Sequence, residues 1–249
     1  MNLILLEPGE LGPDGTARLT GRRAQHLLKV LRPSPGTLLK VGLLGGDLGE
    51  GEVVTVGLGE VTLRVSLEKG PPPRSRVDLL LALPRPKILR KVLQAASSMG
   101  VGRIVLLGSY RVEKSYFSSP LLEKSALEAE LRLGLEQGRD TVLPEVSVRR
   151  LFKPFVEDEL DQVAESAQRL LADPLAAAPL EALAPRASRA LLALGPEGGF
   201  TPYEAKALVD RGFLPFSLGP RVLRVDAAVP YATGQVELWL RSSARLLNR

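Results

Sequence analysis

Residues 190–212 read ALLALGPEGGFTPYEAKALVDRG, and the five residues from Gly195 to Gly199 hold three glycines, a proline and one acid. The run Ala190–Leu194 before them is apolar, uncharged and of strand length. After them Thr201-Pro202-Tyr203-Glu204 has the form of a capping box, with threonine at the N-cap and glutamate three residues on. A helix is therefore predicted from Pro202, with Ala205, Leu208 and Val209 as its apolar stripe. Proline suits the first helical position because its missing N–H has no partner there in any case. A bare loop between a buried strand and a helix N-terminus lies where open α/β sheets bind ligands, at the carboxyl ends of their strands. Taken alone, it reads first as a turn in which Gly195 and Gly199 permit positive φ, and second as a ligand cradle.

Phosphate is the wrong ligand for it. The chain contains no G-x-x-x-x-G-K-[ST] and no G-x-G-x-x-G, and Glu197 would set a carboxylate against an anion. A cationic or neutral hydrogen-bonding ligand fits better. Without cysteine, and with His26 as the only histidine, the chain offers no disulfide, thiolate nucleophile or imidazole-rich metal site, and no D-x-D pattern supports a carboxylate one.

Working outward, the same alternation of strand and helix runs back to residue 77. Strands are expected at Val77–Leu83, Gly102–Leu107, Leu143–Val148, Arg169–Ala172, Ala190–Leu194 and Leu214–Ser217. Helices are expected at Pro86–Ser98, from Ser119-Pro120 to about Gln137, from Pro202, and from Asp226 to Arg241. Such alternation implies an α/β fold with a mostly parallel sheet covered on both faces. Pro71-Pro72-Pro73 cannot continue a strand or helix and marks a boundary. Before it, one helical pattern at Arg22–Arg32 sits among short apolar, β-branched runs separated by Gly-rich turns, which predicts a small strand-dominated barrel. The expected domains are 1–70 and 74–249. Of the formal charge of +5, residues 1–73 contribute 8 basic and 8 acidic groups and residues 74–249 contribute 25 and 20. The basic excess is compatible with a polyanionic partner. Aromatic residues make up 4%, so no broad base-stacking platform is expected. The amino terminus lacks a basic segment before its short apolar run, and no run has membrane-spanning length, so a cytoplasmic location is expected.

A second Gly-Pro loop, Ser217-Leu218-Gly219-Pro220-Arg221-Val222-Leu223-Arg224, follows the last short strand. The combination of GPEGGF, a helix, and SLGPRVLR leading into a C-terminal helix resembles the SPOUT methyltransferases, and within them the RsmE family. His26-Leu27-Leu28-Lys29-Val30-Leu31-Arg32 is similar to that family's H-x-x-x-V-L-R segment. Lys87 and Lys91 before Met99-Gly100-Val101, Tyr110-Arg111, and Glu136-Gln137-Gly138-Arg139 agree in the right order. Where the family commonly reads L-R-[TV]-E-T-A, this chain has Leu223-Arg224-Val225-Asp226-Ala227-Ala228, which loses a hydroxyl and shortens the acid.

The resemblance implies a PUA-like β-barrel that binds RNA, followed by a SPOUT α/β domain with a trefoil knot, a topology otherwise nearly absent from proteins. It implies S-adenosylmethionine-dependent methylation of N3 of a uridine in small-subunit (16S) ribosomal RNA. The cofactor would lie against Leu194, Gly195, Pro196, Glu197, Gly198, Gly199, Ser217, Leu218, Gly219 and Leu223, and the two loops together favour a ligand cradle over a plain turn. Arg224, ahead of Arg221, is the candidate for charge stabilisation, with Glu197 and Asp226 as possible proton acceptors. Arg22, His26, Lys29 and Arg32, and a second cluster at Lys87 and Lys91, are candidate RNA contacts; each also reads as a solvated basic face. No metal is implied. A homodimer is expected, with Val229, Val236, Trp239 and Leu240 offered as its apolar contact. Two other functions compete with this one: a SPOUT methyltransferase acting on another RNA position such as a ribose 2′-hydroxyl, and a non-catalytic RNA-binding assembly protein.

Overall fold

The computed structural model describes residues 2–247, apart from the side chains of 243–247. The chain divides into two compact units. The first is Met1–Pro73 together with Leu131–Leu143. Its five-stranded sheet has the order β1 (Ile4–Leu6), β3 (Leu38–Leu43), β4 (Leu48–Val56), β5 (Val61–Lys69), β2 (Thr16–Leu19). Only the β1–β3 pairing is parallel. Alternating residues of these strands build the core. Val61 and Leu63 of β5 point inward with Val41, Val53, Ile4 and Leu6, and Leu27 closes this core from the helical segment. That segment is α1 (Gly21–His26) followed by one π-helical turn, Leu27–Leu31, in which Arg32 N–H reaches back five residues to Leu27 O at 2.7 Å.

The first unit ends at the prolines but also takes in Leu131–Leu143 from later in the chain. The helix α3 (Lys124–Gly138) passes from the second unit into the first, where Leu135 is buried against Leu3 and Leu5 and Glu136 O accepts the N–H of Asn2 at 3.0 Å. A proline run shows where the chain leaves a domain. It carries no signal of a later segment coming back.

The second unit, Arg74–Glu130 and Pro144–Arg249, is built on a six-stranded, wholly parallel sheet. Its order is β11 (Leu214–Phe216), β9 (Gln168–Ala172), β10 (Ala190–Leu194), β6 (Val77–Ala82), β7 (Arg103–Leu107), β8 (Glu145–Arg149). Every residue of β6 and β10 is buried, as central strands covered on both faces require. On one face Leu80, Val105, Leu171 and Leu191 pack with Phe155, Leu160, Leu208 and Phe213. On the other lie α2 (Pro86–Ser98) and α7 (Val225–Leu247), which pack on each other. Glu237 of α7 accepts from Ser75 Oγ and Arg76 N, both at 3.0 Å, tying this helix to the start of β6.

Residues 152–164 form helix that the periodicity did not predict: α4 (Phe152–Pro154), a π turn (Phe155–Glu159) and α5 (Leu160–Ala164). The buried positions are Phe155, Val156, Leu160 and Ala164. The wider turn adds a residue to the repeat, so their spacing departs from the 3.6 period that an amphipathic helix displays. Val229, Val236 and Leu240, expected to face a second copy, are instead buried against their own subunit. Among the described residues, the exposed large apolar side chains of α7 are Tyr231 and Leu238. No helix among the described residues is long and apolar enough to cross a membrane.

Candidate active site

Register brings the loops together. Phe216 pairs with Ala172, Ala172 with Leu194, and Leu194 with Leu81, so the loops after β11, β9, β10 and β6 leave the sheet at one level. Ser217 N–H donates to Ala178 O at 2.8 Å and Asp173 N–H to Phe216 O at 3.0 Å, lacing the loop after β9 to the loop after β11. Between them is a cleft of about 340 Å³ lined by Pro174, Ala177, Pro179, Ser217, Gly219, Pro220, Arg221 and Val222. Ser217 Oγ accepts from Gly219 N–H at 3.1 Å and so holds the second Gly-Pro loop open. Gly219 has φ +113°, a conformation that L side chains rarely adopt. Sequence reasoning missed the β9 loop, because nothing local in Asp173-Pro174-Leu175-Ala176 distinguishes a cleft wall from a surface turn.

The glycines of the first loop have separate causes. A Cβ on Gly195 would lie 2.9 Å from Phe200 N and 3.1 Å from Gly199 Cα, so this loop folds too tightly on itself for a side chain. Gly199 sits at φ +72°. At Gly198 a Cβ would meet the Arg111 side chain at 3.0 Å, and Arg111 donates to Gly198 O and, at 3.4 Å, to Gly199 O. Leu194 and Pro196 are buried, while Glu197 and Gly198 are exposed at the tip.

The capping box forms as the sequence predicts, on α6 (Pro202–Asp210). Thr201 Oγ1 accepts from Glu204 N–H at 3.3 Å, and Glu204 Oε2 accepts from Thr201 N–H at 2.9 Å. Glu204 is 3% exposed, and its carboxylate also ties down a second segment, since Oε1 accepts the N–H of Tyr110, in the loop after β7, at 2.7 Å. Glu204→Ala would leave these donors without their acceptor and remove half the cap. A loss of about 2–4 kcal/mol is expected, read as a lowered midpoint in urea unfolding with unchanged m-value.

The remaining predicted residues separate into paired and exposed ones. Asp226 accepts from Lys91 Nζ at 3.0 Å, and this ammonium holds its carboxyl below the usual aspartate range. Leu223, Arg224 and Asp226 line a second hollow of about 410 Å³ with Val222 and Ala227. Arg224 is exposed. Lys87 is exposed on α2, whereas Arg90 beside it is paired with Glu130. In the first unit Arg22 is paired with Glu136 at 2.5 Å, His26 is half-buried, and Lys29 and Arg32 are exposed. Tyr116, which sequence reasoning did not single out, has its hydroxyl pushed up by burial and by the charges of Glu113 and Glu197. Among the described residues no cluster of His, Asp or Glu could hold a metal ion.

A parallel sheet with two Gly-Pro loops at its carboxyl edge has a counterpart among known proteins, and the class is that of RNA methyltransferases: the model of the RNA methyltransferase domain matches residues 71–237. Ribosomal RNA small subunit methyltransferase E of Treponema pallidum is 30% identical over 233 residues, covering 92% of this chain and 87% of the relative. The enzyme of the same name from Neisseria gonorrhoeae, solved bound to S-adenosyl methionine, superposes with a TM-score of 0.75 at 19% identity, covering 96% of this chain and 98% of that one. A Legionella pneumophila methyltransferase structure in complex with the same cofactor gives 0.73 at 24% identity, covering 95% and 97%. These two likenesses show the fold. The chain belongs to the ribosomal RNA small subunit methyltransferase E (RsmE) family.

Proposed function

We propose that this protein is an S-adenosylmethionine-dependent methyltransferase that modifies N3 of a uridine in 16S ribosomal RNA. One observation carries the reading: in a chain of this family, three loops leave adjacent strands at one level and two of them enclose the 340 Å³ cleft. The cleft's walls are prolines, an alanine, a valine and glycine main chain, with the hydroxyl of Ser217 and the guanidinium of Arg221 as its polar groups, a lining that suits a ligand with both an apolar body and a carboxylate. Leu194–Gly199, Ser217, Leu218, Gly219 and Leu223 would hold the cofactor, with Pro174, Ala177 and Pro179 completing the wall. When bound, S-adenosylmethionine supplies a methyl group on a cationic sulfonium.

The chain's own residues position the base and carry its charge. Arg224, exposed at the rim of the adjoining hollow, is the group we assign to the uracil carbonyl oxygens, where negative charge develops as N3 gives up its proton. Asp226 is a weakened base beside Lys91, and its role is to hold Lys91 and the start of α7. Glu197, exposed at the loop tip, is then the proton acceptor.

The finer architecture belongs to the same proposal. After β11, at the outer edge of the sheet, the chain returns to the middle as α7, which touches β10 and β6 and whose Trp239 Nε1 donates to Leu183 O at 3.1 Å in the β9–β10 connection. That path supports a trefoil knot. The strand order of the first unit and its single helix support a PUA-like barrel, with the exposed Lys29 and Arg32 as phosphate contacts and Arg22 and His26 as lesser ones. In the second unit Lys87 and Lys91 are further candidate phosphate contacts, Lys91 with its charge offset by the paired Asp226. Tyr231 and Leu238, seven residues apart on α7, support a homodimer. An enzyme of this kind works in the cytoplasm.

The test is transfer from methyl-labelled S-adenosylmethionine to small ribosomal subunits lacking the modification, followed by digestion to nucleosides. Label in N3-methyluridine is expected. Label in a ribose-methylated nucleoside would overturn the position, and no transfer would overturn the activity.

A further inference from the structure

A third cavity, of about 520 Å³, lies at the carboxyl ends of β7 and β8 and shares no residue with the cleft between the loops after β9 and β11. Gly108, Ser109 and Tyr110 form one wall, Arg150, Leu151, Phe152 and Lys153 a second, and Thr201, Tyr203 and Glu204 the third. The wall aromatics Tyr110 and Tyr203 are 86% and 63% exposed, two of only four tyrosines in the chain. Ser109 Oγ is buried and has no hydrogen-bond partner. An unpaired buried hydroxyl is costly unless something arrives to satisfy it. The cations are differently held. Arg150 lies 5.6 Å from the centroid of the Phe117 ring and donates to Phe117 O at 3.3 Å, while the Lys153 side chain is 65% exposed, with Glu157 3.8 Å away as its counter-charge. The one carboxylate in the wall, Glu204, is already occupied by Thr201 and Tyr110.

We propose that this cavity binds an unpaired nucleobase of the RNA strand, next to the nucleotide that is methylated. Exposed ring faces stack bases irrespective of sequence, a buried hydroxyl meets a base edge, and Arg150 and Lys153 face the backbone phosphates. The position next to the reacting nucleotide follows from the bonding. Arg111, adjacent to Tyr110, holds Gly198 and Gly199, and Thr201 stands two residues beyond Gly199. Placing this site beside the reacting nucleotide rests on the methyltransferase reading above.

The test uses the full chain and the double variant Tyr110→Ala/Tyr203→Ala, whose side chains are exposed, with thermal melts to check the fold. Filter binding of a ten-nucleotide single-stranded RNA reads the site independently of catalysis. Steady-state transfer to small subunits reads it during catalysis. Stacking loss should weaken oligomer binding and raise KM for RNA by about tenfold each, with kcat at saturating RNA changing far less. Tyr203→Phe, which keeps the ring face, should restore most of the affinity to the second position. Wild-type oligomer affinity and KM in a folded double variant would overturn the site. If the wild-type protein transferred no methyl group, the methyltransferase reading would fall, and the oligomer affinities alone would still decide whether RNA binds here.

Discussion

Replacing Ala177 with tryptophan is expected to abolish S-adenosylmethionine binding while leaving the protein folded. Ala177 is exposed in the wall of the 340 Å³ cleft, opposite Ser217 and Gly219, so an indole there occupies ligand space without disturbing the core. Affinity should fall by about 100-fold or more, the ~3 kcal/mol scale of forcing a large side chain into filled space. Titration calorimetry with the cofactor measures it directly. Retained affinity in a folded variant would move the cofactor away from the loops after β9 and β11. The same variant should bind RNA as the wild type does, because no residue placed on RNA lines this cleft.

Arg224→Ala should act at the other end of the reaction. Arg224 lines the adjoining hollow and is exposed. If it meets the negative charge that develops on the uracil oxygens, its removal should cost about 10²- to 10³-fold in single-turnover methyl transfer at saturating RNA and cofactor. Cofactor affinity should be unchanged, and RNA binding reduced only by one phosphate-scale contact. An equal loss in binding and in transfer would instead mark Arg224 as a phosphate contact. Because the two substitutions stand at separate cavities and separate steps, their effects are distinguishable by which measurement moves.

Much of this was legible in residues close together in sequence. The capping box at Thr201–Glu204, the strand Ala190–Leu194 and the Gly-Pro loops depend on backbone bonding within a few residues, and each formed where the local signals place it. Positive φ was expected at both Gly195 and Gly199, and it is found at Gly199 but not at Gly195. Gly195 is required by the loop's own closure and Gly199 by a positive φ, while Gly198 packs against Arg111, which arrives from 87 residues away. The helix at residues 152–164 escaped because a π turn shifts its buried positions off the usual period.

Local order along the chain was enough to specify a parallel α/β unit with Gly-Pro loops at its carboxyl edge and a separate strand-rich unit before it. Those are short-range decisions about turns, caps and hydrophobic spacing. Which distant groups meet was settled by the folded arrangement alone. It returned Leu131–Leu143 to the first unit, paired Arg22 with Glu136 and Lys91 with Asp226, and buried Val229, Val236 and Leu240 that a helical wheel would offer to a partner. It also gave Glu204 its bond to Tyr110 and gathered two scattered tyrosines around one cavity. Parallel strands are joined by long crossovers, so strand order, not proximity along the chain, sets which loops share a wall.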